Sequence, residues 1–196
     1  MLHSIENTLI TSDLFNKSTP LLIANSGGRD SMTLLFGLIQ SGFTHLEVAH
    51  CNFLLRGEES DGDQLFVQNF CIENKIPFHT IGFDTKKTAK EKGISTQMAA
   101  RHLRYEWLEK IRLEQKLHLI VVAHHQDDQV ETILLNLIQG TGIHGLKGML
   151  AKNDKIVRPL LKISRTTINQ YIEEKTVLII LVIIKEILSD TKLVHY

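Results

Sequence analysis

Residues 26–31, Ser26-Gly27-Gly28-Arg29-Asp30-Ser31, stand between an apolar run of strand character (Leu21, Leu22, Ile23, Ala24) and one with helical spacing (Met32, Leu34, Leu35, Leu38, Ile39). A strand entering a glycine-rich turn that opens a helix aims free backbone N–H groups and the positive end of the helix dipole at one point. Such a point suits an anion such as phosphate. Gly27 and Gly28 let the backbone approach that anion closely.

Two commoner phosphate loops are excluded by the spacing. A Walker A loop ends in Lys-Ser/Thr, and a dinucleotide fingerprint needs three spaced glycines. Here Asp30 stands where a triphosphate loop would put its lysine. A carboxylate beside phosphates is repulsive unless a cation such as Mg²⁺ neutralises it, so Asp30 points to a metal-bridged phosphate. The plainer alternative is a capping turn, with Asp30 or Ser31 as N-cap and no ligand.

Apolar strands and helical periodicities alternate along the chain, which predicts an α/β fold: a parallel sheet with helices on both faces. The expected strands are Leu21–Ala24, Leu46–His50, Phe78–Phe83, Leu117–Ala123 and Ile156–Leu161, the last confined to an edge or strand end by Pro159. The expected helices are Met32–Gln40, Ser60–Asn74 with Leu65, Phe66, Phe70 and Ile72 inward, and Thr96–Leu113 with Met98, Leu103, Trp107, Leu108 and Ile111 inward. A fourth carries Val130, Ile133, Leu134, Leu137 and Ile138 at i, i+3, i+4, i+7 and i+8. Ser164 caps a short last helix through Ile172.

With 196 residues and 43% hydrophobic side chains, the chain suits one domain with a small appendage. Lys plus Arg equals Asp plus Glu at 22 each, so no overall basic field announces a nucleic acid, and any RNA contact must be local. The run Lys86, Lys87, Lys90, Lys92 reads most simply as a solvated surface. Cys51 and Cys71 form no Cys-x-x-Cys pair, so neither an iron–sulfur nor a thiol-redox site is signalled. Residues Met1 to Ile10 hold Glu6 and polar side chains where a secretory signal needs a basic start and an apolar stretch, so the expected location is the cytoplasm.

In doubly wound sheets ligands sit beyond the carboxyl ends of the strands. The residues there are unusually polar: Ser26–Ser31 after the first strand; His50, Asn52, Arg56, Glu58, Glu59 and Asp61 after the second; His124, His125, Gln126, Asp127 and Asp128 after the fourth. Asp127 and Asp128 would cap a helix, but one aspartate suffices for that, and two behind two histidines with Glu131 one turn on favour a functional role. Adjacent histidines on a strand end point to opposite sides, which argues against zinc. Arg101, Arg104 and Tyr105 share one helix face, either as a clamp for phosphate or carboxylate or as a solvated face pairing with Glu106 and Glu109.

Together these residues resemble the N-type ATP pyrophosphatase, or PP-loop, superfamily, and within it the tRNA(Ile)-lysidine synthetases. The resemblance covers residues 20 to 175. It rests on Ser26–Ser31, His50 to Asp61, Ala100 to Tyr105, Ala123 to Thr132, Gly140-Thr141-Gly142 and Arg158 to Leu161, six motifs in order. It implies an adenine nucleotide alpha hydrolase-like, Rossmann-like domain over residues 1–175. The implied activity joins L-lysine to C2 of the wobble cytidine of an isoleucine tRNA with a CAU anticodon, through an adenylate, at the expense of ATP.

By this resemblance Ser26, Gly27, Gly28, Arg29, Asp30 and Ser31 hold the ATP phosphates and Asp30 places Mg²⁺. His50, His124, Gly140, Thr141 and Gly142 complete the nucleotide site. Asp127 or Asp128 neutralises the lysine or assists its deprotonation, and Arg101 and Arg104 steady phosphate or the adenylate. Arg56, Glu59, Asp61, Tyr105, Glu131 and Arg158 are the implied substrate-binding residues.

After Lys175 the resemblance stops. The family continues with an Asp-Ser-Ser-Asn segment, an Arg-Asn segment and tRNA-recognising domains, whereas Thr176–Tyr196 carries eight apolar residues in a row, Val177 to Ile184, too few to span a bilayer. The expectation is a non-family tail from a shifted reading frame or premature end. Two other readings stay open: a tRNA thiolase of the same superfamily, and a nucleotide-binding relic without catalysis.

Overall fold

The computed structural model describes residues 5–55, 58–140 and 146–175, with Glu58 and Glu59 described by backbone alone. The elements are α1 (Ile5–Ile10), β1 (Leu21–Ala24), α2 (Arg29–Gln40), β2 (Leu46–Asn52), α3 (Glu58–Glu73), β3 (Phe78–Gly82), α4 (Thr85–Lys92), α5 (Thr96–Glu114), β4 (Leu119–Val121), α6 (Gln126–Ile138), β5 (Lys152–Asn153) and β6 (Ile156–Val157). A last helix, α7, occupies residues 165–175.

The six strands lie in the order β3-β2-β1-β4-β6-β5. All pair in parallel except the β5–β6 hairpin. The chain therefore winds outward from β1 in both directions, and the reversal leaves a crevice at the carboxyl ends of β1 and β4.

Strand alternation splits the core in two. Leu21 and Ile23 of β1 join Val48, Leu119 and Val121 beneath α1, α2, α3 and α7, through Ile5, Leu9, Leu34, Leu38, Val67 and Ile168. Leu22 turns the other way, with Ala49, Ile120 and Val122, against Trp107, Leu108 and Ile111 of α5. Helices thus cover both faces, as the alternating pattern predicts.

Several inward faces differ from expectation. On α3, Leu65, Phe66 and Ile72 are 58%, 54% and 66% exposed, while Val67 and Cys71 are fully buried. Val67 and Cys71, at i and i+4, form the stripe that meets the sheet, and the larger side chains beside them mask it in the sequence. On α5, Met98 lies exposed, and the neighbouring Ala99 is the residue of that turn that is buried. On α6, Val130, Leu134, Leu137 and Ile138 are all more than half exposed, and no residue of the helix is buried. The periodicity there correctly reports a helix, but periodicity does not say what covers an apolar face.

Three elements, α1, α4 and β5, go unmarked by the sequence pattern. The lysine run forms α4, capped by Asp84, whose Oδ1 accepts from the Lys87 N–H at 3.1 Å, and closed by Gly93 at φ 62°. The hairpin β5–β6 turns through Asp154 in the left-handed region, which Asp tolerates better than most residues. Residues 176–196, and with them the expected tail, lie outside the described residues.

Candidate active site at the carboxyl ends of β1 and β4

The turn after β1 is held from within by one buried side chain. Asn25 is 3% exposed; its Oδ1 accepts from the Gly27 N–H at 2.8 Å and stands 3.0 Å from Ser31 Oγ. Ser31 Oγ in turn accepts from the Ser26 N–H at 3.2 Å. These bonds fold residues 25–31 into a closed ring before any ligand arrives. Gly27 adopts φ +82°, and a Cβ there would lie 2.9 Å from Asp63 Cβ on α3, so both conformation and space require glycine.

The N-cap of α2 is Gly28, with no side-chain cap. The capping-turn alternative, which needed Asp30 or Ser31 at that position, is therefore set aside. An uncapped helix start leaves N–H donors directed outward, the arrangement that binds an anion. Arg29 turns aside to donate to Asn169 Oδ1 of α7 at 2.8 Å.

Behind the turn, His50 is 3% exposed and its Nδ1–H donates to the Asn25 carbonyl at 3.0 Å; burial holds its pKa below the ordinary value. His50 does not line the cavity in front of the loop, and acts on the loop from the rear.

That cavity, of about 240 Å³, opens between the loop and α5. Its back wall is apolar and built of small side chains, including Ala24, Ala49 and Cys51, with Val122 and Leu108. Burial pushes the Cys51 thiol up to about 12, so it stays neutral. The mouth is polar: Ser26, Asp30 and Ser31 on one side, His124 and Asp128 on another, Arg104 and Tyr105 on the third. An apolar slot leading to a mouth with anion donors and cations fits a flat base with phosphates attached.

On α5, Arg104 lies over the Phe53 ring at 5.1 Å and Arg101 over the Tyr105 ring at 5.2 Å. The alternative pairing with Glu106 and Glu109 does not form: Glu109 binds Arg112 at 2.6 Å, and Glu106 lies 3.6 Å from His102. Stacking fixes Arg104 while leaving its in-plane donors available.

After β4 the two histidines part, as their adjacency predicts. His124 Nδ1 accepts from Arg158 Nε at 3.1 Å, and Arg158, 5% exposed, also donates to the Leu150 carbonyl at 2.9 Å. Burial first, then the positive charge of Arg158, lowers the His124 pKa to about 4. His125 turns inward and caps α6: its Nδ1 accepts from the Asp127 N–H at 3.2 Å, while Asp128 Oδ2 accepts from the His125 N–H at 2.9 Å. Its Nε2 lies 3.5 Å from Asp30 Oδ2 and 3.5 Å from Asp128 Oδ2. A single ring thus draws together carboxylates from α2 and α6.

Other expected residues stand apart. Asp127 is exposed and accepts from the Arg165 N–H at 3.3 Å, outside the cavity wall. Glu131 is exposed one turn along α6. Asp61 accepts from the buried Asn52 amide at 2.9 Å and does not reach the cavity. Gly140 follows the far end of α6, about 20 Å of helix from His125. Arg56, Thr141, Gly142 and the Glu59 side chain lie outside the described residues. Among the described residues no cluster of three metal-ligating side chains occurs. Sequence reasoning passed over Phe53, which carries Arg104, and Arg165, whose separation from the loop hides it.

Residues 2–179 match the family model of the PP-loop domain. The chain is 53% identical over 161 residues to a protein of Bacteroides thetaiotaomicron named tRNA(Ile)-lysidine synthase, covering 82% of this chain and 38% of that relative. It is 47% identical over 175 residues to the protein of the same name from Porphyromonas gingivalis, covering 88% of this chain and 38% of that one. The chain thus spans about two-fifths of the length of these relatives.

Among solved structures, the U34-tRNA thiolase NcsA of Methanococcus maripaludis superposes with a TM-score of 0.66 at 19% identity, covering 86% of this chain and 62% of that one. The NH3-dependent NAD synthetase of Campylobacter jejuni does so at 0.55 and 15% identity, covering 87% and 68%. At such identities the likeness shows the fold alone. The family match runs across β1, the ring of residues 25–31 and the cavity before it, and on that ground the chain belongs to the PP-loop domain family.

Proposed function

We propose that this domain carries out the ATP-dependent chemistry of a tRNA(Ile)-lysidine synthase. The observation that carries the reading is the conjunction of an uncapped, preformed turn at α2 with a base-sized cavity whose mouth brings Asp30 and Asp128 together opposite Arg104. Relatives of that name, 53% and 47% identical over the same region, support it.

In this reading the base of ATP enters the apolar slot and its phosphates meet the turn. The C2 oxygen of the wobble cytidine, position 34 of an isoleucine tRNA with a CAU anticodon, attacks the α-phosphorus, and the bond to the β-phosphate oxygen breaks to release pyrophosphate. The lysine amine then bonds to C2, the C2–O bond breaks and AMP leaves, with a proton given up by the amine. Arg104, held over Phe53, offsets the charge that develops on the α-phosphate. Asp128 lines the cavity and Asp127 does not, which favours Asp128 as the partner of the lysine ammonium.

The donor set suits a metal that arrives with its nucleotide, since Mg²⁺ is ordinarily held by one or two carboxylates together with substrate phosphates. Asp30 would hold it, and it would supply neutralisation of phosphate charge. The reading also places the reaction in the cytoplasm, where tRNA and ATP meet.

The test is transfer of labelled lysine to a CAU-anticodon isoleucine tRNA transcript with ATP and Mg²⁺, comparing the wild type with Asp30→Ala. Lysine-dependent AMP release and transfer, both lost in the variant, are expected. Absence of transfer, beside an active full-length relative, would leave a nucleotide-binding domain that lacks the reaction.

A further inference from the structure

Three helix starts meet at the loop. Asp30 lies in the first turn of α2, His125 and Asp128 form the capping box of α6, and Arg165 begins α7 behind its cap Ser164. They are tied through the backbone: the Gln126 N–H donates to the Ile163 carbonyl at 2.8 Å, and the Arg165 N–H to Asp127 Oδ1 at 3.3 Å. The Arg29–Asn169 bond joins α2 to α7 a second time.

The Arg165 side chain crosses this junction. Its Nη2 stands 3.9 Å from Asp30 Oδ2 and 3.1 Å from His125 Nε2. His125 Nδ1 accepts the Asp127 N–H, so a neutral ring carries its proton on Nε2. Two N–H donors do not bond each other; the carboxylate of Asp30 is what draws Arg165 in. The guanidinium is accordingly unlocked, and Arg165 is 56% exposed where the His125 side chain is 1% exposed.

A polyphosphate brought to the α2 start meets two carboxylates and needs cations near them. Arg104 serves the far wall, over Phe53, and Arg29 is turned to Asn169. Among the described residues, Arg165 is the arginine whose guanidinium reaches Asp30.

We propose that Arg165 is the cation for the β- and γ-phosphates: in the free protein it rests beside Asp30 and His125, and on nucleotide binding it turns its donors to the pyrophosphate leaving group. The proposal rests on the ATP site described above. It assigns to α7, more than a hundred residues beyond the glycine-rich turn, a share in the leaving-group site.

Binding of Mg-ATP, pyrophosphate and AMP to the wild type, Arg165→Gln and Arg165→Lys by calorimetry tests it. The backbone bond to Asp127 survives both substitutions, and unfolding temperatures report whether the fold does too. Arg165→Gln should weaken Mg-ATP and pyrophosphate by about tenfold or more, the worth of a charge-assisted contact, with AMP unchanged. Arg165→Lys should recover part of the loss. Equal binding of all three ligands by Arg165→Gln would overturn the proposal, as would parallel loss of AMP and ATP with a lowered unfolding temperature, which marks a purely structural arginine. A wild type that binds neither ATP nor AMP would overturn the ATP site itself and this inference with it.

Discussion

Replacing Gly27 by alanine probes the turn where conformation and packing act together. At φ +82° an L-residue costs roughly 1–2 kcal/mol. The new Cβ would also sit 2.9 Å from Asp63 Cβ, 3.2 Å from its carbonyl oxygen and 3.3 Å from its Cα. Two of those three atoms are backbone, so α3 itself must shift, at a further cost of about 1–3 kcal/mol. The sum, about 2–5 kcal/mol, corresponds to a fall in Tm of roughly 5–15 °C for a domain of this size. Gly28→Ala is the internal control: its φ of −73° suits any residue, and its Cβ would meet only Ser26 Oγ at 3.3 Å. That variant should lose about 1 kcal/mol or less. Thermal and urea unfolding of the two proteins side by side gives the answer. Equal losses, or a Gly27→Ala protein as stable as the wild type, would refute the argument that α3 and the left-handed turn dictate glycine at 27.

Asn25→Ala removes the acceptor of the Gly27 N–H and a partner of Ser31 in a buried setting, so stability should fall by about 1–3 kcal/mol and Mg-ATP affinity should fall with it, read by unfolding and calorimetry. His124 has a folded pKa lowered to about 4 against an unfolded value near 6.5. The unfolded state then binds the extra proton first, so its contribution to stability is whole above about pH 6.5 and is lost as pH falls toward 4. A His124→Asn variant should show a flatter stability profile across that window in urea unfolding at fixed ionic strength, and an unchanged slope would count against the burial of the ring.

The fold was legible where period and burial coincide. Leu21–Ala24 reads as a strand and is one, because a central parallel strand is apolar on both faces. The candidate site was legible where its residues are local: Ser26–Ser31 lies within one turn, so residue types alone mark it as a candidate for anion binding. Burial of helix faces was harder. On α3 the side chains that meet the sheet, Val67 and Cys71, are smaller than Phe66 and Leu65, which face outward, so size misdirects the reading. On α6 four of the five residues of the apolar period, all but Ile133, lie exposed. Arg165 was illegible for a different reason, since its meeting with Asp30 is made by tertiary packing of α7 and leaves no trace in spacing.

The bond from Arg29 to Asn169 spans a sequence separation of 140 residues. During synthesis at about 5–20 residues per second, the glycine-rich turn therefore leaves the ribosome roughly 7–28 s before the helix that braces it. Local bonds from Asn25 allow the ring to close early, but its grip on α7 arrives only near the end of the domain. The growing chain can thus hold the local bonds of the turn for seconds before α7 is available to brace it.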